Sequence, residues 1–300
     1  MSTEKPQGLR KRLAGNPQFR ELAFTFRMMR KSKITVAAMI VVAVSYLVAI
    51  FAPILSPYAP NFQHLSQAFL GPTQAHPVGT DELGRDILSR LIWGSRISMI
   101  VGIIVVVVST AIGLPVGAVS GYFGGKVDEV IMRFTDIVIS FPGIVLAILF
   151  AYILGKGAIA AFIALSLVNW TGIARITRGV ILLEKEKEYA TAARVLGKNS
   201  FSILFGEIIP NSIQPVIVWA SLSIGTAIVS LAGLSFIGVG VQPPTADWGS
   251  MVSEGYAYLV QDPTLAIAPG LVIIIVSLSF NIIGDSLQDA LDPQLRRQSG

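Results

Sequence analysis

Few side chains in this 300-residue sequence could carry out chemistry. It contains no cysteine, which excludes a disulfide framework, a thiolate metal site and a cysteine nucleophile. Only two histidines are present, so a histidine-rich metal centre is not expected. The phosphate-binding pattern G-x-x-x-x-G-K-[ST] is missing: Lys126 and Lys198 each follow a glycine, but neither precedes Ser or Thr. Energy for any active process must therefore come from another molecule, or the protein is a passive pore.

The segment that most needs a functional explanation is a charged, alanine-containing stretch near residue 190. Helix formers fill Val180–Leu196, and Gly197 suits the left-handed position that follows a helix. A second helix is predicted over Phe201–Ile209, ending at Pro210. We call this predicted helix–glycine–helix unit, residues 180–210, the elbow.

Two further features of the elbow bear on its role. Asn199 and Ser200 are both candidate N-caps for its second helix. Ala190, Ala192 and Ala193 are predicted to form a small-residue face that another surface could approach closely. The elbow is either an amphipathic loop on the membrane surface or a docking element for a cytoplasmic partner.

The composition places the elbow in an integral membrane protein. Apolar residues make up 53% of the sequence and charged residues only 14%, against about 25% charged in soluble domains. An uncharged helix of about 20 residues crosses the roughly 30 Å hydrocarbon core. Six charge-free intervals are long enough for this: Ile34–Thr80, Ile97–Gly125, Ile137–Gly155, Gly157–Ala174, Ile208–Ala246 and Pro263–Gly284.

Prolines and glycines narrow two of these intervals to single helices. The first becomes a helix at about Ile34–Phe51, followed by an external proline-rich loop, and the fifth becomes Val216–Ile237. The runs are continuous rather than alternating, which disfavours a β-barrel. The predicted fold is therefore all-α, with six transmembrane helices.

The distribution of positive charge predicts the orientation of these helices. Of 23 Lys and Arg residues, 19 fall on the side that holds the elbow and both termini. The other side has four: Arg85, Arg90, Arg96 and Lys156. The positive-inside rule then predicts cytoplasmic N and C termini. Membrane topology also explains the net positive charge of the sequence, so this charge does not imply a nucleic-acid partner.

The interior of the predicted spans is free of Asp, Glu, Lys and Arg. Their absence argues against an ion-coupled carrier and against an intramembrane enzyme, which need ionisable groups at that depth. Milder polar residues could line a hydrated path or satisfy hydrogen bonds between helices, and for any single residue the second role is favoured. They are Asn169, Thr171, Ser221, Ser223, Thr226, Ser230, Ser235 and Asn281.

Glycines recur every fourth residue in the second span, at Gly113, Gly117 and Gly121. Such a face lets another helix approach closely. Packing within the chain is favoured over a subunit interface. Pro115 lies in the same helix and is expected to kink it.

The elbow resembles the cytoplasmic coupling motif of the permease subunits of ATP-binding-cassette (ABC) importers, Glu-Ala-Ala, three residues, Gly, nine residues, Ile-x-Leu-Pro. Thr191-Ala192-Ala193 precedes Gly197, and Glu207-Ile208-Ile209-Pro210 ends the motif. Thr191 replaces the motif glutamate and Glu207 an isoleucine. The stretch from Glu188-Tyr189 to Gly197 resembles the version Glu-Tyr-x-x-Ala-Ala-Arg-x-Leu-Gly of the peptide-transporting branch.

Four more blocks extend the resemblance over nearly the whole chain, to the C-type subunit of the dipeptide, oligopeptide and nickel branch. They are His76–Ser98 before the second span, Gly121–Asp136 in a short cytoplasmic connection, Ser235–Met251 after the fifth span and Gly284–Arg296 at the C-terminus.

The resemblance implies a non-enzymatic permease subunit of the inner or plasma membrane, with the type I ABC importer fold. It implies a second, similar permease, ATPase subunits that bind ATP and Mg²⁺, and an extracytoplasmic solute-binding protein. No cofactor or metal would belong to this chain. The residues implied to couple the chain to the ATPase are Glu188, Tyr189, Ala192, Ala193, Arg194, Gly197 and Pro210.

The predicted organisation follows from spans and resemblance together. Residues 1–33 form a cytoplasmic segment, 34–95 the first span and external loop, 96–285 the type-1 transmembrane domain with its elbow, and 286–300 a cytoplasmic tail. Peptides are the expected solutes, with oligosaccharides or nickel chelates as alternatives. A self-contained channel or secondary carrier is the rival from another class, and a non-transporting scaffold is a third.

The external side after the fifth span is acidic and has no Lys or Arg between 239 and 263. Asp247, Glu254 and Asp262 could favour cationic solutes or a basic patch on a binding protein. The positive-inside bias alone explains the pattern equally well.

Overall fold

The structure, a computed structural model, describes residues 25–291, and over this range the chain is helical without strands. Residues 1–24 and 292–300, which hold most of the predicted N-terminal segment and part of the predicted tail, lie outside the described residues. The helices are α1 (Lys33–Ile50), α2 (Ala52–Leu55), α3 (Ile87–Phe123), α4 (Gly125–Ser140), α5 (Gly143–Leu154), α6 (Ala158–Glu184), α7 (Glu188–Val195), α8 (Ser200–Ile203), α9 (Ile209–Phe236), α10 (Trp248–Tyr256) and α11 (Thr264–Leu291). A 3₁₀ turn, Leu65–Gln67, follows α2, and a π turn, Leu204–Ile208, joins α8 to α9.

Five helical segments are long and apolar enough to cross a membrane: α1, α3, α6, the continuous segment α8–α9, and α11. The bent pair α4–α5 makes a sixth if it is counted as one span. Several helices are longer than the charge-free intervals. The helix α3 begins at Ile87, because Asp86 caps it by accepting a hydrogen bond from the N–H of Ser89 at 2.7 Å. Charges are costly only inside the hydrocarbon core, so helices can continue past it.

The third span is not the single helix predicted over Ile137–Gly155. It breaks after Ser140, and the two halves are bent by 88°. Phe141 has extended backbone angles (φ −89°, ψ 144°) and precedes Pro142. A residue before proline is driven out of the helical region, which accounts for the break.

The elbow also departs from its predicted outline. Val180–Leu196 is two helices rather than one, because α6 ends at Glu184 and α7 begins at Glu188. Pro210 does not stop a helix: it lies in the first turn of α9, and residues 200–236 are one continuous helical segment. In a regular α-helix the ring of Pro210 would clash with the carbonyl four residues earlier, at Gly206. Gly206 lies within the π turn, where the helix is locally wider.

The glycine face of α3 packs within the chain, as favoured. A Cβ on Gly113 would lie 2.5 Å from the carbonyl oxygen of Trp170, and one on Gly121 would lie 2.8 Å from that of Arg178. Both partners belong to α6. The helices α3 and α6 are therefore in backbone contact over two turns, and they form the centre of the bundle.

The bundle has two distinct ends. At one end the elbow packs on the ends of α3 and α6. At the other end the segment 56–86 and α10 form a folded layer, which we call the cap. The apolar interior between them is contributed by α3, α5, α6 and α9.

Candidate functional site

The elbow is anchored to the bundle by an apolar cluster. Ala190 and Ala193 of α7 are buried against the ends of two long helices. Their buried partners are Ala118 of α3, Ile181 of α6, and Ile203, Leu204 and Ile208 of α8 and the π turn. Because alanine has no side chain beyond Cβ, α7 sits close to the ends of α3 and α6.

The opposite face of α7 points away from the bundle. Glu188, Thr191 and Ala192 are exposed there. Val195 and Leu196 continue this face, with 82% and 79% of their surfaces exposed. The predicted face that joined Ala192 to Ala190 and Ala193 is therefore wrong, because Ala192 lies two residues after Ala190 and one before Ala193 and so points elsewhere on the helix.

A left-handed glycine makes the corner of the elbow, as predicted. Gly197 has φ +77°, and its N–H donates to the carbonyl of Arg194 at 3.0 Å. Lys198 N–H donates to the carbonyl of Ala193 at 3.2 Å, which completes the helix-ending pattern. Asn199 then caps α8: its side chain accepts a hydrogen bond from Ser202 N–H at 2.7 Å. Of the two candidate caps, Asn199 is the one used.

Side-chain hydrogen bonds fix α7 to the end of α6. The Tyr189 hydroxyl donates to a carboxylate oxygen of Glu184 at 2.9 Å. Burial and the neighbouring Glu184 raise the pKa of Tyr189 to about 12, which keeps the donor protonated. Arg194 donates to the carbonyl of Lys185, and Lys185 Nζ donates to the carbonyl of Gly121 at 2.8 Å. Elbow, α6 and α3 are thus linked.

The two departures from the coupling pattern fit this geometry. Thr191 is on the exposed face, where a change of side chain costs no packing. Glu207 is half-buried and forms an ion pair with Lys198 across the corner. Pro210 is exposed at the start of α9. The side-chain amide of Asn211 donates a hydrogen bond to the backbone carbonyl of Glu207 at 2.7 Å.

A cavity of about 610 Å³ lies beside the elbow, between the ends of α6, α9 and α11. Polar and apolar side chains share its wall: Glu184, Lys187, Asn211, Gln214 and Gln288 lie near Trp219, Val218 and Leu222. A space of this size and mixed polarity can admit a polar organic solute.

Several polar residues of the spans satisfy their own helix rather than lining a path. The hydroxyl of Thr171 donates to the carbonyl of Val168 at 2.8 Å, and Ser221 and Ser223 donate to carbonyls four residues earlier at 2.9 and 2.8 Å. Hydrogen bonds between helices, the role favoured for single residues, are therefore not what the hydroxyls of these three residues form. Ser235 instead accepts from Val241 N–H at 3.1 Å.

The cap contains a buried ionic cluster that sequence reasoning missed. Arg85 donates to Asp81 at 2.5 Å and to Glu254 at 2.9 Å, and Arg90 donates to Asp81 at 2.9 Å and lies 3.0 Å from Glu254. Both arginines are almost fully buried. The cluster joins the start of α3 to α10. A signal was present: three of the four cations predicted to be external lie in 85–96, and an acidic segment predicted on the same side follows later in the chain.

The carboxylates of this cluster are poorly suited to a metal ion. Oxygens of Asp81, Glu82 and Glu254 lie within 4.8 Å of one another, as metal ligands do. The guanidinium groups of Arg85 and Arg90 already bind them. A cation there would be repelled by two positive charges.

The acidic residues after the fifth span do not form a free acidic surface. Asp247 is completely buried, and it caps α10 by accepting hydrogen bonds from the N–H groups of Gly249 and Ser250 at 3.1 Å. Ser98 of α3 donates to it at 2.9 Å. Glu254 is occupied by the arginines. Attraction of cationic solutes by Asp247 and Glu254 is therefore not supported.

An apolar helical bundle with a rigid elbow at one end and a folded cap at the other has the architecture of a membrane transport permease. Residues 113–297 match the family model described as "binding-protein-dependent transport system inner membrane component". Residues 23–72 match the "N-terminal TM domain of oligopeptide transport permease C". The chain belongs to the family of permease subunits of binding-protein-dependent ABC importers.

Named relatives align over most of their length. The glutathione transport system permease protein GsiD of Pectobacterium atrosepticum is 40% identical over 90% of both chains. The dipeptide permease DppC of Haemophilus influenzae is 38% identical over 92% of this chain and 95% of its own. The oligopeptide permease OppC of Bacillus subtilis is 39% identical over 89% and 88%.

The fold itself is shared with a solved transporter. The MetNI methionine ABC transporter, in an inward-facing conformation, superposes with a TM-score of 0.57 at 20% identity, over 69% of this chain and 98% of that chain. The protein therefore has the type I ABC importer permease fold. It is a multi-pass, non-enzymatic membrane subunit. Membership of this family excludes the alternative of a self-contained channel or secondary carrier.

Proposed function

We propose that this permease moves di- or oligopeptides inward through the membrane, driven by ATP hydrolysis in a separate subunit. Relatives named for dipeptide, oligopeptide and glutathione transport, each close to 40% identical over about nine-tenths of the chain, support peptides as the solute class. The cavity beside the elbow supports a path for a polar solute at that end of the bundle.

The observation that carries the proposal is the two-sided elbow. Its inner side is fixed to α3 and α6, and its outer side is exposed. The exposed residues Glu188 and Ala192, with Val195 and Leu196, supply a small surface with apolar side chains for an ATPase to contact. Movement of that ATPase would be transmitted to the spans because the elbow cannot move without α3 and α6.

The remaining coupling residues act by holding this shape. Tyr189 and Arg194 tether α7 through Glu184 and the carbonyl of Lys185, and Ala193 allows its close approach. Gly197 permits the corner, and Pro210 marks the start of the transmembrane helix α9. Each role is mechanical, and none is catalytic.

The proposed assembly contains more than this chain. ATPase subunits hold ATP and Mg²⁺, a second permease completes the membrane portion, and a binding protein delivers solute at the cap. The excess of Lys and Arg on the elbow side supports a cytoplasmic elbow, with both termini on the same side. The matching segments also support the predicted division at 34–95 and 96–285, with the elbow at 180–210.

The test is purification of the tagged chain from its host in mild detergent, with mass spectrometry of co-eluting proteins. We expect a second permease and an ATPase with a phosphate-binding loop. Elution of the chain alone, under conditions that preserve other membrane complexes, would contradict the proposal.

The solute is tested in proteoliposomes that contain the recovered complex and its binding protein. Uptake of a labelled dipeptide should require internal ATP and should be reduced by unlabelled oligopeptides. Competition by oligosaccharides or nickel chelates, with no competition by peptides, would retain the importer but replace its solute.

A further inference from the structure

The helix α4 has an apolar surface wider than the bundle covers. Its inner face packs against the protein through buried Thr135 and half-buried Ile131 and Val138. Beside that face runs a second apolar row spaced by three and four residues. It consists of Val127, Val130, Phe134 and Ile137, of which 44–69% is exposed, and we call it the apolar stripe.

Four of the five charged residues of α4 lie together on one side of the helix, and the fifth, Asp128, faces α6. Lys126, Glu129, Arg133 and Asp136 are all exposed and fall on one side of the helix. Successive residues are about 100° apart, so these four fall within one arc. The apolar stripe and the inner face together fill the arc across from it. The group of four charged residues therefore borders the apolar stripe along one edge.

The direction of α4 differs from that of the membrane-crossing helices. It is bent by 88° from α5, and α5 packs along α6, where Ala147 and Ala151 join Ala161 and Ala164 in one cluster. The bend therefore turns α4 away from the direction of α5, which packs on the spanning helix α6. The helix α5 has 12 residues and a length of about 18 Å, which is short for the roughly 30 Å core.

Three contacts hold α4 against α6, one of which is a hydrogen bond of 2.5 Å from Arg175 to Asp136. Asp128 is bound by the guanidinium of Arg178 through two hydrogen bonds of 2.6 Å. Phe134 stacks on Trp170 with ring centroids 6.2 Å apart. Arg178 lies near the end of α6, beside Lys185 and the elbow. The helix is thus placed where the spans leave the hydrocarbon.

We infer that α4 lies in the plane of the membrane at the elbow-side interface, with its apolar stripe in the acyl chains. Lys126 and Arg133, next to the stripe on its charged side, would reach the lipid headgroups. This placement rests on the family and the fold, and it does not depend on the proposed solute or ATPase.

A lipid surface fits the stripe better than a helix of another subunit does. A helix-to-helix seam exposed to water has polar residues on both flanks. Here only one flank is charged, because the other flank is the apolar inner face with Ile131 and Val138. The bundle covers the inner face, and lipid can cover the apolar stripe beside it.

The absence of cysteine makes the test direct, since single cysteines can be introduced without removing others. Nitroxide labels at Val130→Cys and Ile137→Cys are compared with Glu129→Cys and Arg133→Cys in the complex, reconstituted in bilayers. Collision with oxygen reports lipid, and collision with a water-soluble nickel chelate reports water. We expect the oxygen-to-nickel ratio to exceed one at both stripe positions and to fall below one at both charged positions.

Two results would overturn the inference. Low collision rates with both reagents at the stripe positions would show burial against another protein subunit, and high nickel collision there would show an aqueous cavity. A second test measures how fast the unlabelled variants Val130→Cys and Glu129→Cys react with a charged maleimide. The reaction is carried out in membranes that have not been extracted with detergent and that are open to the reagent on both sides. The cysteine at 129 should react and the one at 130 should not, and equal reactivity would contradict the placement.

Discussion

Gly117 lies so close to Ala174 that a Cβ on the glycine would fall inside the contact distance of the Ala174 carbonyl oxygen. The partner is backbone, which cannot rotate away as a side chain can. Gly117→Val is therefore expected to separate α3 from α6 and destabilise the folded protein by about 3 kcal/mol. Thermal unfolding of the purified protein in detergent measures the loss.

A matched substitution is available one helix away. Gly179 lies within α6, and a Cβ there would meet nothing within 4 Å. Gly179→Val should leave the melting temperature nearly unchanged. Similar losses in both variants would show that valine in these helices is harmful in itself, and that the contact with Ala174 is not the cause.

The sequence predicted the spans well because their signal is one-dimensional. Charge is excluded from hydrocarbon wherever a helix crosses, and that rule needs no knowledge of neighbours. Local rules also located the corner at Gly197 and narrowed the cap to Asn199 or Ser200, of which Asn199 is used. The family resemblance was also confirmed, because short motifs, like the spans, can be recognised without knowing which distant residues are in contact.

What sequence reasoning missed depends on contacts between distant residues. The stretch Lys185–Lys187 has no strong stop signal, and α7 turns there because Ala190 and Ala193 pack on Ala118 and Ile181. Of the acidic residues after the fifth span, Glu254 pairs with Arg85, which lies 169 residues earlier. No periodicity in a single chain reveals such a pairing.

Arg90 is expected to be essential for the stability of the cap. It is buried, and its guanidinium contacts Asp81 at 2.9 Å and Glu254 at 3.0 Å. Arg90→Met leaves Arg85 as the only arginine that contacts Asp81 and Glu254, and the loss of hydrogen bonds to these charged groups should cost about 1.5–3 kcal/mol. The melting temperature should fall sharply. Arg96→Met is the comparison, because Arg96 lies over the Trp93 ring at 5.2 Å, a contact worth about 0.5–1 kcal/mol at an exposed site. Equal, small effects would contradict a structural role for the cluster.

Asp247 should make the stability of the cap depend on pH. Burial raises the pKa of this carboxyl above its ordinary value, despite the donors that favour its charged form. Between the ordinary and the raised pKa, the folded protein holds a proton that the unfolded chain has lost. Stability therefore falls as pH rises through this window, and the full cost of the buried charge is present above it.

The variant Asp247→Asn keeps an oxygen for the N–H groups of Gly249 and Ser250 but cannot ionise. Relative to it, the wild-type protein should lose melting temperature as the pH is raised from about 4, near the ordinary aspartate pKa. The control is Asp262→Asn, which removes a negative charge near the cap at a residue that accepts a hydrogen bond from Thr264 N–H. Parallel pH profiles of wild type and Asp247→Asn would rule out this origin.

Replacement of Gly197 tests whether the shape of the elbow couples ATP hydrolysis to transport. The residue has φ +77°, where a β-branched side chain is strained by about 1–2 kcal/mol, whereas asparagine tolerates the left-handed region. A Cβ at this position meets nothing within 4 Å in the chain, so the effect must come from the backbone or from a partner.

Gly197→Val should insert normally and retain ATP hydrolysis by the complex, but lose most solute uptake. Gly197→Asn should retain most uptake if the backbone angle is what matters, and loss in both variants would instead place a partner's surface against residue 197. Undiminished uptake with valine would remove the corner of the elbow from the coupling mechanism.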